Sequence, residues 1–414
     1  MATETDPGGS GRGKGIGVRA VTWQGIEKVE VREVPDPVIQ EPTDAVVRVT
    51  STAICGSDLH LYKVLAPYLA KGDILGHECM GIVEEVGSAV GNLSVGDRVV
   101  VPFTISCGRC FMCERGLQSQ CETTQVREQG SGAALLGYTS LYGAVPGGQA
   151  ERIRVPQAQY GPVKLPHDGS DEQYLYLSDI LPTAWQGVTY AGVTEGDTVA
   201  VVGLGPVGQL ASRAARIQGA GRVIGIDLVD ERLEAARRHG IEALDLREHE
   251  DVAAAVRDLT DGRGADCVVE AVGMEAHGNP VVEGVLGAVS RLPKTIGKTM
   301  IEHAGIDRLA ALHSAIEMCR RGGTVSLSGV YGGSADPMPM MTMFDKQLTL
   351  RMGQANVRRW TDELLGVMDQ HRDILDLENL ATHRLPLDAA PEAYAMFQRK
   401  DDGCIKVVLD PAAA

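Results

Sequence analysis

A glycine-rich turn between an apolar strand and a helix constrains the fold of this chain more than any other feature. The strand is predicted over Thr198 to Val202, and a helix is predicted over Val207 to Gln218. Glycines permit the tight turn and close helix-to-strand packing, while the helix N-terminus offers free N–H groups to an anion. This order predicts a βαβ unit that binds the pyrophosphate of a dinucleotide, although a turn that serves only packing is the alternative. The residues expected at the pyrophosphate are Gly203, Gly205, Pro206, Val207 and Gly208.

An acidic residue, Asp227, ends the next predicted strand, which begins at Arg222. It stands about 20 residues beyond the glycines, where a carboxylate accepts hydrogen bonds from the adenosine ribose. Its charge would repel a 2'-phosphate, so NAD is favoured over NADP. Three further apolar strands, separated by helical stretches, predict a doubly wound parallel sheet. They are Cys267 to Val272, Thr324 to Val330 and Leu348 to Met352.

The chain has 414 residues, more than one hydrophobic core usually serves, which favours two domains. Short β-branched runs broken by prolines predict a first domain that is mostly β. The C-terminal tail, with a closing strand predicted over Ile405 to Leu409, is assigned to that same domain. The predicted divisions are a flexible tail at 1–17, a mostly-β domain at 18–182, a dinucleotide-binding domain at 183–355, and a return to the first domain at 356–414.

The charge and the cysteine count exclude several classes of protein. A formal charge of -16 argues against nucleic acid or anionic membrane as a partner, because both need clustered Lys and Arg. No apolar run has the length of a signal peptide or a membrane span, which predicts a cytoplasmic protein. Nine cysteines in such a protein are more often metal ligands or core residues than disulfides.

Four of these cysteines follow a metal-binding spacing within a lobe at 104–125. Four thiolates within fifteen residues can close a tetrahedral zinc site, and they leave no open position. The predicted zinc is therefore structural, with buried or reactive cysteines as the alternative. Its ligands are Cys107, Cys110, Cys113 and Cys121.

A second possible metal site combines Cys55, in Cys-Gly-Ser-Asp-Leu-His, with His77, in Gly-His-Glu. A catalytic zinc uses three protein ligands and keeps an open position, and these two residues are of the right kind. Taken alone, such a pair is more often part of the core or surface. The neighbouring dinucleotide motif favours the metal.

These motifs, in this order along the chain, resemble those of the zinc-containing medium-chain alcohol dehydrogenases. The resemblance implies a GroES-like catalytic domain, a Rossmann coenzyme domain and an active site between them. It implies that Cys55 and His77 bind the catalytic zinc, that Ser57 hydrogen-bonds the substrate oxygen and that His60 passes its proton to solvent. It also implies that Glu78 is a transient ligand or lies beside the metal.

The third zinc ligand departs from the cysteine that many members of the family use, since no cysteine lies between Cys121 and Cys267. The segment around Asp179 resembles the glutathione-independent formaldehyde dehydrogenase branch, in which an aspartate is the ligand. Carboxylate oxygen suits zinc. The alternatives are a helix N-terminal acid at Asp179, with Glu78 or Cys79 as the ligand.

The predicted function is hydride transfer between a small alcohol or aldehyde and NAD, with two zinc ions per chain. Formaldehyde dehydrogenase and polyol or threonine dehydrogenase are narrower alternatives, and a zinc-stabilised dinucleotide-binding protein without activity is the non-enzyme alternative. The backbone near Val330 is expected at the nicotinamide, although a plain turn fits equally well. The resemblance alone implies a pyrophosphate contact for Arg351 and a homodimer or homotetramer. A segment at 278–305 is interpreted as an insertion in the coenzyme domain.

Overall fold

The computed structural model of this chain describes residues 17–273, 309–331 and 338–413. The tail expected at 1–17 lies outside that part except for Gly17, and the insertion at 278–305 lies outside it entirely. None of the helices within the described ranges combines the length and the apolar character needed to cross a membrane.

The secondary structure alternates between the two types predicted from the sequence. The strands, numbered β1 to β15 in chain order, are Val18–Gly25, Lys28–Val34, Ala45–Ile54, Glu78–Val86, Arg98–Val101, Arg152–Val155, Val163–Lys164, Thr198–Val202, Arg222–Asp227, Glu242–Asp245, Ala265–Glu270, Cys319–Leu327, Thr349–Met352, His383–Pro386 and Val407–Asp410. The α-helices of the described residues, numbered α1 to α12, are Gly56–Lys63, Phe111–Glu114, Asp171–Leu175, Ile180–Ala191, Pro206–Ile217, Asp230–Arg238, Val252–Asp258, Ala310–Met318, Met340–Asp345, Val357–Gln370, Arg372–Leu375 and Ala390–Arg399.

Six parallel strands form one sheet in the order β10-β9-β8-β11-β12-β13. Side chains alternate along each strand, so successive residues of β8 enter different cores. Val199 and Val201 pack in a core with α4 and α5, whereas Ala200 and Val202 pack in a second core with α7 and α8. Helices thus cover both faces, and the prediction of a doubly wound parallel sheet is confirmed.

Two strands of this sheet end earlier than the sequence pattern predicted. The strand expected to reach Val272 ends at Glu270, because the N–H groups of Val272 and Gly273 donate to the Glu270 carboxylate at 2.8 Å. The neighbouring strand ends at Leu327, where the following N–H groups donate to the Glu270 carbonyl oxygen. Both segments of the chain therefore turn away from the sheet at its carboxyl edge, which is where ligands bind in folds of this kind.

A second sheet joins the N-terminal part of the chain to its C-terminal tail. Its strands lie in the order β14-β15-β3-β4-β5-β7, and β6 pairs with β3. The closing strand β15 runs antiparallel to β3, with Val407 opposite Ile54. This pairing places the end of β3, the start of β4 and the residue before β15 side by side.

Candidate active site

Four buried side chains with metal-ligand chemistry meet where this second sheet faces the parallel sheet. Cys55 follows β3, His77 and Glu78 stand at the start of β4, and Asp179 precedes α4. One ligand atom from each lies within 4.8 Å of all the others. The Asp179 Oδ2 atom is 3.3 Å from His77 Nε2 and 3.5 Å from Cys55 Sγ. The structure thus brings together four residues from three segments that are distant in sequence.

The turn before β4 presents His77 to this cluster and requires glycine. Gly76 has a φ of +96°, and a Cβ atom there would lie 2.3 Å from Gln149 Cγ. Any larger residue would therefore clash and would also be strained in this conformation.

The Asp179 carboxylate is not engaged in capping a helix. Asp179 is the N-cap of α4, but its side chain accepts no backbone N–H of that helix. Its Oδ1 atom instead accepts the Thr183 hydroxyl at 2.7 Å, and its Oδ2 atom faces Cys55 and His77. Asp179 thus stands at the N-terminus of α4, as the alternative expects, but its carboxylate makes no capping hydrogen bond and faces the cluster.

Cys79, the other reserve ligand, lies outside the cluster. Successive side chains of a strand point to opposite faces, so Glu78 and Cys79 diverge on β4. Cys79 packs in an apolar core, and burial raises the pKa of its thiol to about 12. It is a core residue in this structure.

The donor set of the cluster fits a zinc ion. Burial, together with the Asp179 and Glu78 carboxylates, raises the pKa of the Cys55 thiol. A cation among these groups would favour the thiolate and offset the repulsion between the carboxylates. Thiolate, imidazole and carboxylate are the ligands that zinc takes, and three of them would leave a coordination position open.

A residue that sequence reasoning left unassigned, Asp58, orients two of these groups. Its Oδ1 atom lies 3.1 Å from His77 Nδ1, and its Oδ2 atom accepts the Cys55 N–H at 2.9 Å and the Gln149 amide at 3.2 Å. Asp58 is fully buried. A carboxylate on the far nitrogen of a metal-binding histidine fixes the ring orientation and its tautomer.

We expect the substitution Asp58→Asn to weaken zinc binding at this cluster by about 10–100-fold, because the partner of a ligand histidine tunes its basicity. Competition with a chromophoric chelator measures that affinity. Exposed Asp168 offers a control, since Asp168→Asn changes the same chemical group away from the cluster. Equal affinity in both variants would remove Asp58 from the site.

The Glu78 carboxylate is held by a buried lysine, Lys406, that lies next to β15. Lys406 Nζ donates to Glu78 Oε1 at 2.5 Å and to the Ile54 carbonyl at 3.1 Å, and both charged side chains are 0% exposed. The second carboxylate oxygen, Oε2, has no hydrogen-bond partner among the described residues. Lys406 therefore fixes Glu78 while one oxygen remains available to the cluster.

The four cysteines of the predicted zinc lobe also converge. One sulfur from each of Cys107, Cys110, Cys113 and Cys121 lies within 4.8 Å of the others. The Cys107 N–H donates to Cys121 Sγ and the Glu122 N–H donates to Cys110 Sγ, both at 3.4 Å. Burial opposes ionisation of Cys110, but backbone N–H groups lower its pKa to about 6, whereas burial raises the pKa of Cys113, so a cation is needed to hold all four as thiolates. This arrangement suits four thiolates around one cation.

A cavity of about 340 Å³ runs from the metal cluster along the carboxyl edge of the parallel sheet. A Cβ atom at Gly208 would lie 1.8 Å from the Gly203 carbonyl oxygen, so this glycine permits the close packing of α5 on β8. Gly203 itself has a φ of +88°. The predicted coenzyme residues that line this cavity are Gly203, Gly205, Pro206, Val207, Asp227 and Val330.

Arg351 does not lie with these residues. It stands on the edge strand β13, and its guanidinium group stacks on the Tyr190 ring at 3.7 Å. It is absent from the residues that line the 340 Å³ cavity in the described part of the chain. The pyrophosphate contact that the resemblance implies for Arg351 therefore stays a prediction.

Asp227 has both structural contacts and a place at the cavity. Its carboxylate accepts the N–H groups of Leu204, Leu228 and Val229 at 2.7–3.0 Å. Arg232, which no sequence motif singles out, lines the same cavity, and its Nη1 atom is 3.7 Å from Asp227 Oδ2. A carboxylate and a guanidinium group thus lie together where the adenosine ribose is expected.

Ser57 and His60 lie on α1 beside Cys55. The Ser57 Oγ atom is 3.4 Å from Cys55 Sγ, and Ser57 borders both the 340 Å³ cavity and a smaller cavity at the cluster. His60 borders only the larger one of these two. This placement is compatible with a proton path from the cluster to the coenzyme cavity.

Local signals could have found one of the overlooked residues but not the others. Asp58 stands inside the motif Cys-Gly-Ser-Asp-Leu-His, between Ser57 and His60. Lys406 and Arg232 have no such signal, because their partners lie elsewhere in the sequence and meet them only in the folded chain.

Comparisons with known proteins match nearly the whole chain. Residues 41–167 match the family described as alcohol dehydrogenase GroES-like domain, and residues 206–284 match the zinc-binding dehydrogenase family. The chain is 40% identical over 397 residues to an uncharacterized zinc-type alcohol dehydrogenase-like protein, AdhB, of Bacillus subtilis, covering 95% of this chain and 100% of the relative. A glutathione-independent formaldehyde dehydrogenase of Pseudomonas aeruginosa is 34% identical, with coverage of 95% and 98%. The structure of alcohol dehydrogenase TADH from Thermus sp. ATN1 superposes with a TM-score of 0.78 at 37% identity, with coverage of 95% and 99%.

Proposed function

Because this chain belongs to the zinc-dependent alcohol dehydrogenases, a family of NAD(P)-linked enzymes, we propose that its cleft interconverts an alcohol and its aldehyde with NAD as coenzyme. The observation that carries the proposal is the cluster of Cys55, His77 and Asp179 at the junction of two cavities. Oxidation of one alcohol would reduce one NAD⁺ to NADH and release one proton. Metal analysis and NADH absorbance test it, with two zinc ions per chain and turnover expected.

The zinc held by this cluster would supply Lewis acidity toward the alcohol oxygen, and the coenzyme would take the hydride. Ser57 would accept the hydroxyl proton at Oγ, beside Cys55. His60 would carry that proton onward, since it borders the larger cavity on the same helix. Glu78 would hold an oxygen ready at the metal while Lys406 fixes its position.

The coenzyme is proposed to be NAD, because Asp227 offers a carboxylate where NADP carries its 2'-phosphate. Arg232 beside it has the opposite preference. The glycine turn and the N-terminus of α5 would hold the pyrophosphate, and Val330 would border the nicotinamide.

We expect Asp227→Ser to raise the ratio of kcat/KM for NADP to that for NAD by about tenfold or more, because the substitution removes the repulsive charge and frees Arg232. Initial rates with both coenzymes measure the ratio. The double variant Asp227→Ser with Arg232→Leu should lose most of the gain with NADP. An unchanged ratio in the single variant would show that Asp227 does not select the coenzyme.

The four-cysteine lobe is proposed to hold a second, structural zinc. Its closed ligand set would brace the loop against the chain near α10, where the Ser119 N–H donates to Asn356 Oδ1 at 3.0 Å. The division of the chain is proposed as predicted from the sequence, with the coenzyme bound by residues 183–355.

A homo-oligomer in the cytoplasm is the proposed state of the enzyme. Exposed apolar side chains on α9 and β13 support association, because contiguous apolar surface and an open sheet edge commonly mark an interface. These side chains are Met340, Met341, Phe344 and Met352. Sedimentation velocity measures the number of chains.

Formaldehyde is the substrate that a second observation favours. Asp179 supplies the carboxylate expected of the glutathione-independent branch, and a formaldehyde dehydrogenase is among the relatives. A substrate panel that includes formaldehyde distinguishes this narrower activity from a general alcohol dehydrogenase.

A further inference from the structure

Two buried side-chain amides, those of Gln186 and Asn356, meet at one wall of the cleft. Gln186 lies in the middle of α4, the helix that Asp179 precedes, and Asn356 lies directly before α10. Both side chains are buried. Gln186 Oε1 accepts the Asn356 backbone N–H at 3.0 Å and the Asn356 side-chain amide at 3.1 Å. The pair therefore links the helix that follows a proposed zinc ligand to the segment that leads into α10.

The same pair holds the backbone that borders a cavity of about 130 Å³ at the metal cluster. Residues 353–355 form part of the wall of this cavity. Gln186 Nε2 donates to the carbonyl oxygens of Gly353 and Gln354, both at 3.3 Å. Asn356 is not among the described residues that border the cavity, so it acts on that space through Gln186 and the neighbouring backbone.

The opposite side of Asn356 contacts the four-cysteine lobe. Asn356 Oδ1 accepts the N–H of Ser119, a buried residue that lies just before Cys121, at 3.0 Å. Thr104, the first residue of the lobe, donates its hydroxyl to the Ala355 carbonyl oxygen at 3.5 Å. The lobe thus holds the segment at the cavity wall at two points.

This network can transmit a change in position because it is buried and its hydrogen bonds are complete. The Trp360 indole N–H also donates to Gln186 Oε1, at 3.2 Å. Among the described residues, neither Gln186 nor Asn356 has a buried polar atom without a partner. A buried amide that loses its partner is destabilising, so a shift of residues 353–355 favours a matching shift in the lobe.

We propose that Asn356 is a positioning residue that couples the four-cysteine lobe to coenzyme binding in the cleft. The nicotinamide is expected beside residues 353–355, because Val207, Ser328 and Val330 border both this cavity and the larger one. Coenzyme binding would fix that backbone and, through Asn356, the backbone of the lobe. Coupling between two sites is reciprocal, so an ordered lobe would favour coenzyme binding. This inference rests on the dehydrogenase function proposed above.

Hydrogen exchange followed by mass spectrometry, on the zinc-loaded protein with and without saturating NADH, tests the coupling. Peptides that cover residues 117–124 contain the Ser119 N–H, which reports on its hydrogen bond to Asn356. We expect NADH to slow exchange in this segment by about tenfold, within the range usual for coupled sites. The strands β1 and β2 are the internal control, because they form a separate two-stranded sheet and should not change.

The variant Asn356→Ala should abolish this effect of NADH and weaken NADH binding by about tenfold, because coupling is reciprocal. Fluorescence titration with NADH measures the affinity. Thr361→Ala is the matched control, since Thr361 is a fully buried polar residue of α10 whose described hydrogen bonds are to Arg358. This control should keep both the slower exchange and the affinity for NADH.

The inference would be overturned if NADH slowed exchange equally at 117–124 and in β1 and β2, because that result means stabilisation of the whole fold. Slowing that persists in Asn356→Ala would also overturn it. The wild-type comparison decides the question even if this variant fails to fold. Protection by NADH at residues 203–208 but not at 117–124 would reject the coupling and leave the dehydrogenase intact, whereas absence of NADH binding at two zinc ions per chain would reject the proposed function itself.

Discussion

Replacing Asp179 by alanine is expected to lower kcat/KM for alcohol oxidation by about a thousandfold and to reduce the zinc content from two ions per chain to one. The carboxylate is one of three proposed ligands, and its Oδ2 atom contacts both of the others. Loss of a ligand would weaken the metal site, whose Lewis acidity is worth several kcal/mol in the transition state. Steady-state rates and metal analysis measure both effects.

Asp168→Ala provides the comparison, because Asp168 is an exposed acid in the loop before α3. This variant should retain two zinc ions per chain and full turnover. Thr183→Ala would test how the Asp179 carboxylate is oriented while keeping it as a ligand, because the substitution removes only the hydroxyl that donates to Asp179 Oδ1. If Asp179→Ala kept two zinc ions and wild-type rates, Glu78 would become the third ligand in its place.

The second large effect is expected from Lys406→Met, which should lower the free energy of unfolding by about 3–5 kcal/mol. The substitution keeps much of the side-chain volume but leaves the Glu78 carboxylate buried and without its cation. Breaking a buried ion pair at one end costs more than removing both charges. Urea denaturation at matched zinc content measures the difference.

The double variant Lys406→Met with Glu78→Gln should recover most of that stability, because no uncompensated charge remains. Lys406→Arg tests the geometry, since the added bulk must enter a fully buried space beside Ile54. If Lys406→Met alone were as stable as the wild type, Glu78 would take a proton when its lysine is absent, and the ion pair would not stabilise the fold.

The coenzyme half of this protein was predictable because its signals are local. A strand, three glycines and a helix follow each other without interruption, and the geometry of each is set by neighbouring residues. The boundaries of β8 agree with the predicted strand, and the error at β11 arose from the Glu270 carboxylate that turns the chain. The four-cysteine lobe was equally local, with its ligands in one short segment.

The metal cluster was only partly predictable. The motifs proposed Cys55 and His77, but the third ligand rested on a resemblance around Asp179 and had competing interpretations. Tertiary structure brings the Asp179 carboxylate to the cluster and sends Cys79 into a core, because alternate side chains of a strand face opposite ways. For Arg351, the structure gives a place on β13 and a contact with Tyr190, and the pyrophosphate contact stays a prediction from resemblance.

The order of residues along the chain thus defined the chemistry, a zinc-dependent hydride transfer to a dinucleotide, because glycine turns and ligand spacings act over short distances. The walls of the cleft depend on contacts that join distant segments. Gln186 is satisfied by Asn356 and Trp360, and the Tyr138 ring meets the His77 ring edge-on. Those contacts form only when both sheets pack around the same cleft, since no local pattern encodes which side chains will face each other across it.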